Sequence, residues 1–457
     1  QQENLKRFRG LVGYGICLTR RTSPVRSWAK SFNFSNSSGV AQWKRSGLIT
    51  HWSVDRNHPP LFFFDYILIT LSIFFFLSLS IMFDKPNRSL IPMLDIENTD
   101  CLVTTNGMFI IDKIINKVEN TVDENVPGGG GLFSTVGSTI VVSSDNKEIS
   151  FPKEALLSKI KFIVDCGVDF PYNAICPVLD TWNVDIKYRI NKNRLTTRGL
   201  NEYTGNYRRF EYETPKLQIV ASDLATLTTE NKEIGIVHLV SSPKRCKEII
   251  EGLKRNDTYL CYNYVWELTP DLCTLEHLPS VLEILEFYSV SKGFKIVVSP
   301  NSEEFLQLVE GGELVMDPSL DVVKDAYLKH KYTYFKNLGH KFIIRCGKLG
   351  CLYPQNDDTF KHFPAYHDSS SSEKIVDATG CGNSFLGAFS AALILTDFNY
   401  SLACIFGNIA SAIVLESKGL PTNASALQDE NTVVLWNGLS FNQRLDYYKK
   451  NFLSHEH

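Results

Sequence analysis

The stretch of sequence that decides the fold lies late in the chain and reads Val376-Asp377-Ala378-Thr379-Gly380-Cys381-Gly382-Asn383-Ser384-Phe385, followed by an apolar run over 386–395. A glycine turn that opens a helix presents unpaired backbone N–H groups and the positive end of the helix dipole. We therefore predict that the amides of Gly380, Cys381 and Gly382 form an anion hole. The alternative is an ordinary turn between a strand and a core helix, capped by Asn383 or Ser384.

Length and composition are those of a globular protein. The 457 residues suffice for one large α/β domain with additions or for two domains, and 44% of them are hydrophobic. The net charge of −3 shows no excess of basic residues over the whole chain, so we expect no nucleic-acid partner. The eleven cysteines are scattered without a CxxC pair, which favours a reducing compartment and a cytoplasmic protein.

Residues 1–92 differ in character from the rest of the chain. They are basic at first and then apolar, and the 18 residues of segment 66–83 carry no charge. That length just meets the requirement for a membrane-spanning helix. Two interpretations stay open: a single membrane anchor at 66–83, or upstream sequence outside the working protein. We expect residues 93–457 to form the folded domain.

After residue 93, apolar runs of strand length alternate with amphipathic runs of helical length. This alternation predicts an α/β fold in which a parallel sheet is covered by helices on both faces. The predicted strands are 101–105, 162–166, 234–240, 259–262, 294–298 and 341–346, and the predicted helices include 244–254 and 278–289.

Asp377 to Phe385 resembles the second signature of the ribokinase-like (PfkB) carbohydrate kinases, Asp-Thr-x-Gly-Ala-Gly-Asp-x-Phe. Within that family the chain resembles the subgroup of a fungal killer-virus maintenance protein. The resemblance implies a ribokinase-like three-layer α/β/α sandwich with a small β lid. It also implies ATP-dependent phosphorylation, with Mg²⁺, of a sugar or nucleoside-like hydroxyl.

The last Asp of that signature is the catalytic base of the family, and Asn383 stands at its position here. A carboxamide cannot accept a proton at neutral pH, although it hydrogen-bonds in nearly the same shape. Two functions therefore stay open. One is a carbohydrate kinase weakened by the substitution, and the other is a pseudokinase that acts as a ligand-binding or scaffold protein.

Two further motifs belong to the substrate side of the resemblance. Gly107 and Asp112 keep the family spacing of a strand-end glycine and an aspartate that binds sugar hydroxyls. The glycine run that contains Gly128 and Gly129 resembles the first signature, so we expect both glycines to approach the substrate, although Phe133 replaces the family Asn. Without the resemblance the run would be a flexible loop. It is not a Walker A loop, because no Lys-Ser or Lys-Thr follows.

The remaining motifs belong to the nucleotide side. Asn301 and Glu304 resemble the family Asn-x-x-Glu motif and are expected near Mg²⁺ and the phosphates; the alternative is a helix start with acidic first-turn residues. Gly347 and Gly350 resemble the hairpin that lines the nucleotide pocket. Asn408 is the candidate contact on the adenine side.

The segment 185–214 is polar, β-prone and rich in arginine. In the family this region supplies strands of a lid that closes over the sugar and often pairs with a second subunit. The resemblance thus implies a homodimer formed through the lid. Arginines among aromatic residues also occur in nucleic-acid sites, but one short cluster in an acidic chain is more often a solvated face or an anion-binding lid.

Overall fold

The computed structural model describes residues 42–45, 48–51, 96, 99–144, 149, 153–204, 207–229, 232–335, 338–355, 358–428 and 431–453. The chain divides into two units, Gln1–Lys85 and Pro86–His457. The described part of the first unit is a two-stranded antiparallel hairpin. The candidate anchor 66–83 lies outside the described residues. Among the residues that are described, no helix is both long and apolar enough to cross a bilayer.

The strands, numbered along the chain, are β1 Gln42–Arg45, β2 Leu48–His51, β3 Cys101–Thr105, β4 Ile110–Asn116, β5 Thr121–Gly128, β6 Lys161–Cys166, β7 Asp185–Ile190, β8 Arg198–Thr204, β9 Tyr207–Tyr212, β10 Ile234–Val240, β11 Lys254–Arg255, β12 Thr258–Tyr259, β13 Asn263–Glu267, β14 Lys295–Val298, β15 Lys341–Phe342, β16 Ile344–Arg345, β17 Cys351–Pro354, β18 Phe360–Phe363, β19 Asn423–Gln428, β20 Asn431–Trp436 and β21 Leu439–Ser440.

The α-helices are α1 Gly130–Val142, α2 Lys153–Leu157, α3 Tyr172–Asp180, α4 Ala221–Ala225, α5 Pro243–Gly252, α6 Leu278–Phe287, α7 Ser302–Val309, α8 Leu320–His330, α9 Cys381–Leu395, α10 Tyr400–Leu415 and α11 Phe441–Tyr448. Short 3₁₀ turns occur at Pro270–Leu272, Val290–Lys292, Gly347–Leu349 and Ser369–Lys374, and π-helical turns at Lys331–Phe335 and Lys449–Leu453.

The central sheet has five parallel strands in the order β15-β14-β13-β10-β3. Successive side chains of a strand point to opposite faces of the sheet. Val265 and Val297 accordingly pack in one core with α1, α9 and α10, whereas Tyr264, Trp266 and Val298 pack in a second core with α5 to α8. The predicted three-layer α/β/α arrangement is confirmed.

A second sheet of four strands, in the order β5-β4-β8-β9, forms the lid. Its strands pair antiparallel except for β4 and β8, which run parallel. Of the segment 185–214, β8 and β9 belong to this sheet, whereas β7 pairs with β6. The other half of the lid, β4 and β5, comes from residues that precede α1.

Two predicted strands differ from the structure. The predicted strand 341–346 divides into β15 and β16, which belong to different sheets. The sequence places a strand at 259–262, but the sheet strand is β13, Asn263–Glu267. Residues 258–259 instead form β12 of a small hairpin with β11. The β-prone tyrosines Tyr259 and Tyr262 give the local pattern of a strand, and Tyr264 and Trp266 extend it, so that the true end at Glu267 is not apparent.

Candidate active site

The candidate site lies at the carboxyl ends of the central strands, where open α/β sheets bind ligands. Two cavities meet there. The larger, of about 620 Å³, extends under the lid and includes Asp112 and Asn383 in its wall, so we call it the acceptor cavity. The smaller, of about 290 Å³, lies beside the hairpin of β16 and β17, and we call it the nucleotide cavity. Both are lined by Asn301, Arg345 and Gly382.

Two helices bring their N-termini to this junction. Helix α1 starts at the glycine run, α9 starts at the glycine turn, and glycines allow the two helices to touch. A Cβ at Gly387 would lie 1.8 Å from the Ser134 carbonyl oxygen, and one at Gly137 would lie 1.9 Å from that of Ser384. Ser138 Oγ also donates to the Gly387 carbonyl at 3.0 Å. The close crossing sets the start of α1 beside the start of α9.

The glycine turn forms the N-terminal cap of α9. Gly380 caps α9 with φ 83°, and a Cβ there would lie 2.3 Å from the Phe133 ring beneath it, so both backbone and space require glycine. Burial raises the pKa of the Cys381 thiol to about 12, and its sulfur contacts the carbonyl oxygens of Asp377 and Ser411. The Cys381 amide donates to the Ala378 carbonyl oxygen at 3.2 Å. It therefore closes the turn, and the expectation that this amide is free for an anion is not met.

Asn383 is engaged by a carboxylate. Its Nδ2 donates a 2.7 Å hydrogen bond to Oε2 of Glu267, the last residue of β13. Gly130 lies close by, since a Cβ there would be 3.2 Å from Asn383 Nδ2. The side chain at the expected base position is thus held between the start of α1 and the end of a central strand.

A buried guanidinium lies across the turn from Asn383. Arg345 Nη2 pairs with Glu267 Oε1 at 2.7 Å, donates to the Ser299 carbonyl at 3.0 Å and lies 3.6 Å from Glu304 Oε2. Its Nη1 faces Gly382, where a Cβ would come within 2.4 Å. Arg345 therefore places a fixed positive charge beside the glycine turn, at the wall that the two cavities share.

On the acceptor side, Asp112 is buried in the lid between two glycines. A Cβ at Gly128 would lie 1.9 Å from Asp112 Oδ2, and one at Gly199 would lie 2.8 Å from Oδ1. Gly129 adopts φ 99° and lines the same cavity. Phe210 and Tyr212 also line it, so the lid contributes one carboxylate and two aromatic residues to this cavity.

Asn301 and Glu304 form the capping box of α7. Asn301 Oδ1 accepts from the Glu304 amide at 2.7 Å, and Glu304 Oε2 accepts from the Asn301 amide at 2.8 Å. The helix-start interpretation of this motif is therefore realised, and both residues also line the acceptor cavity. Burial raises the pKa of Glu304 to about 6, although Arg345 opposes the shift.

The nucleotide cavity includes the residues expected there. Gly347 and Gly350 have φ values of 51° and 88° at the two ends of the turn between β16 and β17. Asn408 lies in α10, where its Nδ2 donates to the carbonyl oxygens of Phe363 and Pro364. The Nδ2 group thus binds backbone carbonyl oxygens of the chain itself, and Asn408 also lines the cavity.

Glu267 and Arg345 are site residues that the sequence did not predict. Each carries a charge at the end of an apolar strand, which is a usable signal at the carboxyl edge of a parallel sheet. The misplaced strand at 259–262 hid Glu267. Arg345 was hidden within the predicted strand 341–346, where a buried charge is not expected.

Comparison with known proteins gives consistent relatives. Residues 296–426 match the family model "pfkB family carbohydrate kinase". Protein MAK32 of Saccharomyces cerevisiae is 36% identical over 365 residues, which is 78% of this chain and 93% of that protein. Among solved structures, ribokinase from Giardia lamblia matches with a TM-score of 0.51 and 14% identity, over 77% of this chain and 99% of that one. Ribokinase from Cryptococcus neoformans in complex with ADP matches with a TM-score of 0.50 and 16% identity, over 70% and 95%.

Proposed function

Because the chain belongs to the pfkB family of carbohydrate kinases, we propose that it transfers the γ-phosphoryl group of ATP to a hydroxyl of a sugar or nucleoside-like acceptor. The observation that carries this proposal is the junction of two cavities at one anion hole. A kinase of this kind must bind two ligands whose reacting atoms meet at a phosphorus atom. Asn301, Arg345 and Gly382 line both cavities, which supports a meeting point beside these three residues.

In this proposal, residues of the chain stabilise the charge of the phosphoryl group and orient the acceptor hydroxyl. The amides at the start of α9 and the Arg345 guanidinium stabilise negative charge on the phosphoryl oxygens, in a site already organised before the ligand binds. Asp112 orients the acceptor hydroxyl from the lid. Phosphoryl transfer passes through a loose transition state, so catalysis depends mainly on positioning and electrostatics.

The donor set fits a water-rich Mg²⁺ bound mostly by phosphates. Mg²⁺ in kinase sites keeps several waters and uses one or two carboxylates. Glu304 provides a carboxylate at the cavity wall, and the described residues contain no cluster of three or more His, Cys, Asp or Glu side chains suited to a metal. When bound, ATP supplies the phosphoryl group and Mg²⁺ neutralises part of its charge.

One observation favours a second candidate function. With Asn383 at the base position, the cleft can serve as the ligand site of a non-catalytic binding or scaffold protein. General-base catalysis contributes about 10²- to 10⁴-fold, so its loss slows a kinase without abolishing transfer. The two functions make the same prediction for ATP binding and differ in turnover.

The experiment separates binding from transfer. The protein is heated with and without ATP and Mg²⁺, and phosphate transfer from ATP is then screened on D-ribose, D-fructose and adenosine. A ligand at one hundred times its Kd raises the free energy of unfolding by about 2.7 kcal/mol. We expect a thermal shift and slow transfer. A shift without transfer supports the binding protein, and no shift at millimolar ATP rejects both functions.

A further inference from the structure

A carboxylate lies directly beside the substituted base position. Glu267 Oε2 is 2.7 Å from Asn383 Nδ2. Glu267 lines the acceptor cavity together with Asp112, and its side chain is 13% exposed. One hydrogen-bond length therefore separates this carboxylate from the group that stands at the family base position.

The amide at 383 and the carboxylate at 267 are chemically matched. The amide NH₂ donates hydrogen bonds, and an ionised carboxylate only accepts them. An aspartate at 383 would bring two carboxylates into contact, and one of the two would have to hold a proton. This corner of the cavity thus holds one carboxylate, attached to β13 instead of α9.

The neighbours of Glu267 decide which of its oxygens is available. Arg345 Nη2 holds Oε1, and the same nitrogen lies 3.6 Å from Glu304 Oε2. His238 Nε2 is 3.9 Å from Oε2, and burial lowers the pKa of His238 to about 3, so this ring is neutral. Oε2 accepts the hydrogen bond from Asn383, and Glu267 lines the acceptor cavity.

We propose that Glu267 is the general base of the reaction, an inference that rests on the phosphoryl transfer proposed above. The acceptor hydroxyl gives its proton to Glu267 Oε2 while its oxygen forms a bond to the γ-phosphorus. The bond between that phosphorus and the bridging oxygen of ADP breaks, and its electron pair stays on ADP. After the phosphorylated product leaves, the proton passes from Glu267 to water. Asn383 is a positioning residue that holds Oε2 beside the anion hole.

Moving the carboxylate between the two positions tests this assignment. Full-length Glu267→Gln, Asn383→Asp and the double variant E267Q/N383D are assayed with ATP and Mg²⁺ on D-ribose, D-fructose and adenosine. Glu267→Gln keeps an oxygen for Arg345 but cannot take a proton, so we expect kcat to fall about 10²-fold or more while the thermal shift with ATP persists. The exposed Glu283→Gln is the matched control and should keep the parent kcat.

The double variant is the decisive arm. It has a carboxylate at position 383 and an amide at position 267. We therefore expect its kcat to be about tenfold or more above that of Glu267→Gln. Asn383→Asp alone should be slower than the parent, because a second carboxylate repels both Glu267 and the phosphates. A residue that only held Arg345 in place would not be rescued by a carboxylate at 383.

Two results would overturn the proposal while leaving the kinase function intact. One is Glu267→Gln with the parent kcat. The other is a folded, ATP-binding double variant that is no faster than Glu267→Gln. Failure of the proposed function differs, because the parent then binds ATP and phosphorylates none of the three acceptors. In that case, phosphorylation of an acceptor by the double variant would assign the base to position 383. An inactive double variant would reject both the phosphoryl transfer and the assignment of Glu267 as base.

Discussion

Arg345 carries a buried positive charge between the carboxylates of Glu267 and Glu304. Its Nη1 faces Gly382, so the same guanidinium contacts both an ion-pair network and the glycine turn. Removing one partner of a buried ion pair typically costs about 3–5 kcal/mol, because the other charges remain without compensation. A lysine keeps the charge but loses the planar fork that can bind a carboxylate and a phosphate together.

We predict that Arg345→Lys folds and binds ATP about tenfold more weakly, the effect of losing about 1.5 kcal/mol in charge-assisted hydrogen bonds. Calorimetric titration with ATP and Mg²⁺ measures the change in Kd. Arg209→Lys, at an exposed pair with Glu211, is the matched control. An unchanged Kd in Arg345→Lys would place the phosphates away from this guanidinium.

Glu416 is a largely buried carboxylate whose contacts predict a loss of stability in acid. It accepts bonds of 2.6 and 2.8 Å from Arg444, lies 2.9 Å from His367 Nε2 and accepts from Asn437. Burial alone would raise its pKa, but the bonds with His367 and Arg444 lower it to about 2. Since the folded pKa lies below the unfolded one, this stabilisation is complete above pH 4.5 and is lost as the pH falls towards 2.

The corresponding variant is Glu416→Gln. We expect its free energy of unfolding at pH 7 to be about 3 kcal/mol lower than that of the parent. The difference between the two proteins should shrink below pH 4. Urea unfolding at several pH values measures this, with the exposed Glu283→Gln as control. A difference that is the same at pH 3 and pH 7 would contradict the assigned cause.

At the residue scale, residues whose role depends on the local backbone could be predicted from the sequence. Residues whose role depends on contacts with distant parts of the chain could not. The glycine of the turn was predictable because Gly380 needs φ 83°, which other residues adopt with strain. Glu267 and Arg345 acquire their meaning from a contact between β13 and β16, strands far apart in the chain. No local pattern encodes that contact.

At the scale of elements, the crossing of α1 and α9 determines where the glycine turn lies. The helices touch through glycines, and a Cβ at Gly387 would meet the Ser134 carbonyl oxygen at 1.8 Å. Such overlap can be relieved only by moving one helix, and α9 carries the glycine turn at its start. The packing contact and the chemistry of the turn are thus coupled through one rigid helix.

We therefore predict that Gly387→Ala lowers the free energy of unfolding by about 1–3 kcal/mol and weakens ATP binding as well. Ser390→Ala, in the same helix, removes only a bond to the Leu386 carbonyl of that helix and serves as control. Urea unfolding and ATP titration report the two effects. A destabilised Gly387→Ala with parent ATP affinity would show that the turn is held independently of the crossing.

A hydrogen bond of 2.7 Å joins the lid to the glycine turn, between Tyr203 Oη on β8 and Thr379 Oγ1. For Tyr203→Phe we expect a rise in KM for the acceptor of about fivefold, since one neutral hydrogen bond contributes about 1 kcal/mol, with little change in ATP binding. The exposed Tyr447→Phe is the control. If KM stays at the parent value, this bond does not help to hold the lid over the acceptor.

At the scale of the whole molecule, the alternation of strands and helices after residue 93 was enough to predict three layers. The sheet buries apolar side chains on both faces, and the two cores together include α1 and α5 to α11. The lid was predicted only in part, because β4 and β5 come from a segment distant in sequence from β8 and β9. Which strands join across such a distance is a tertiary property that local propensity does not fix.

We predict that residues 93–457 fold alone, since both cores are built from this part of the chain. A shortened chain that begins at Met93 should unfold in one cooperative thermal transition and show the same stabilisation by ATP as the full chain. Circular dichroism on heating, with and without ATP, measures both. An insoluble or non-cooperative product, beside a well-behaved full chain, would show that residues 1–92 are needed for folding.

The wall shared by the two cavities also makes a bisubstrate ligand feasible. A conjugate of adenosine, a chain of phosphates and a polyol would fill both cavities and pass the anion hole at Gly382 and Arg345. Tethering turns the second binding event into an intramolecular one, which strengthens binding by about 10²- to 10⁴-fold when the linker matches the span. The number of phosphates in the conjugate with the lowest Kd would then measure the distance between the bound adenosine and the acceptor hydroxyl.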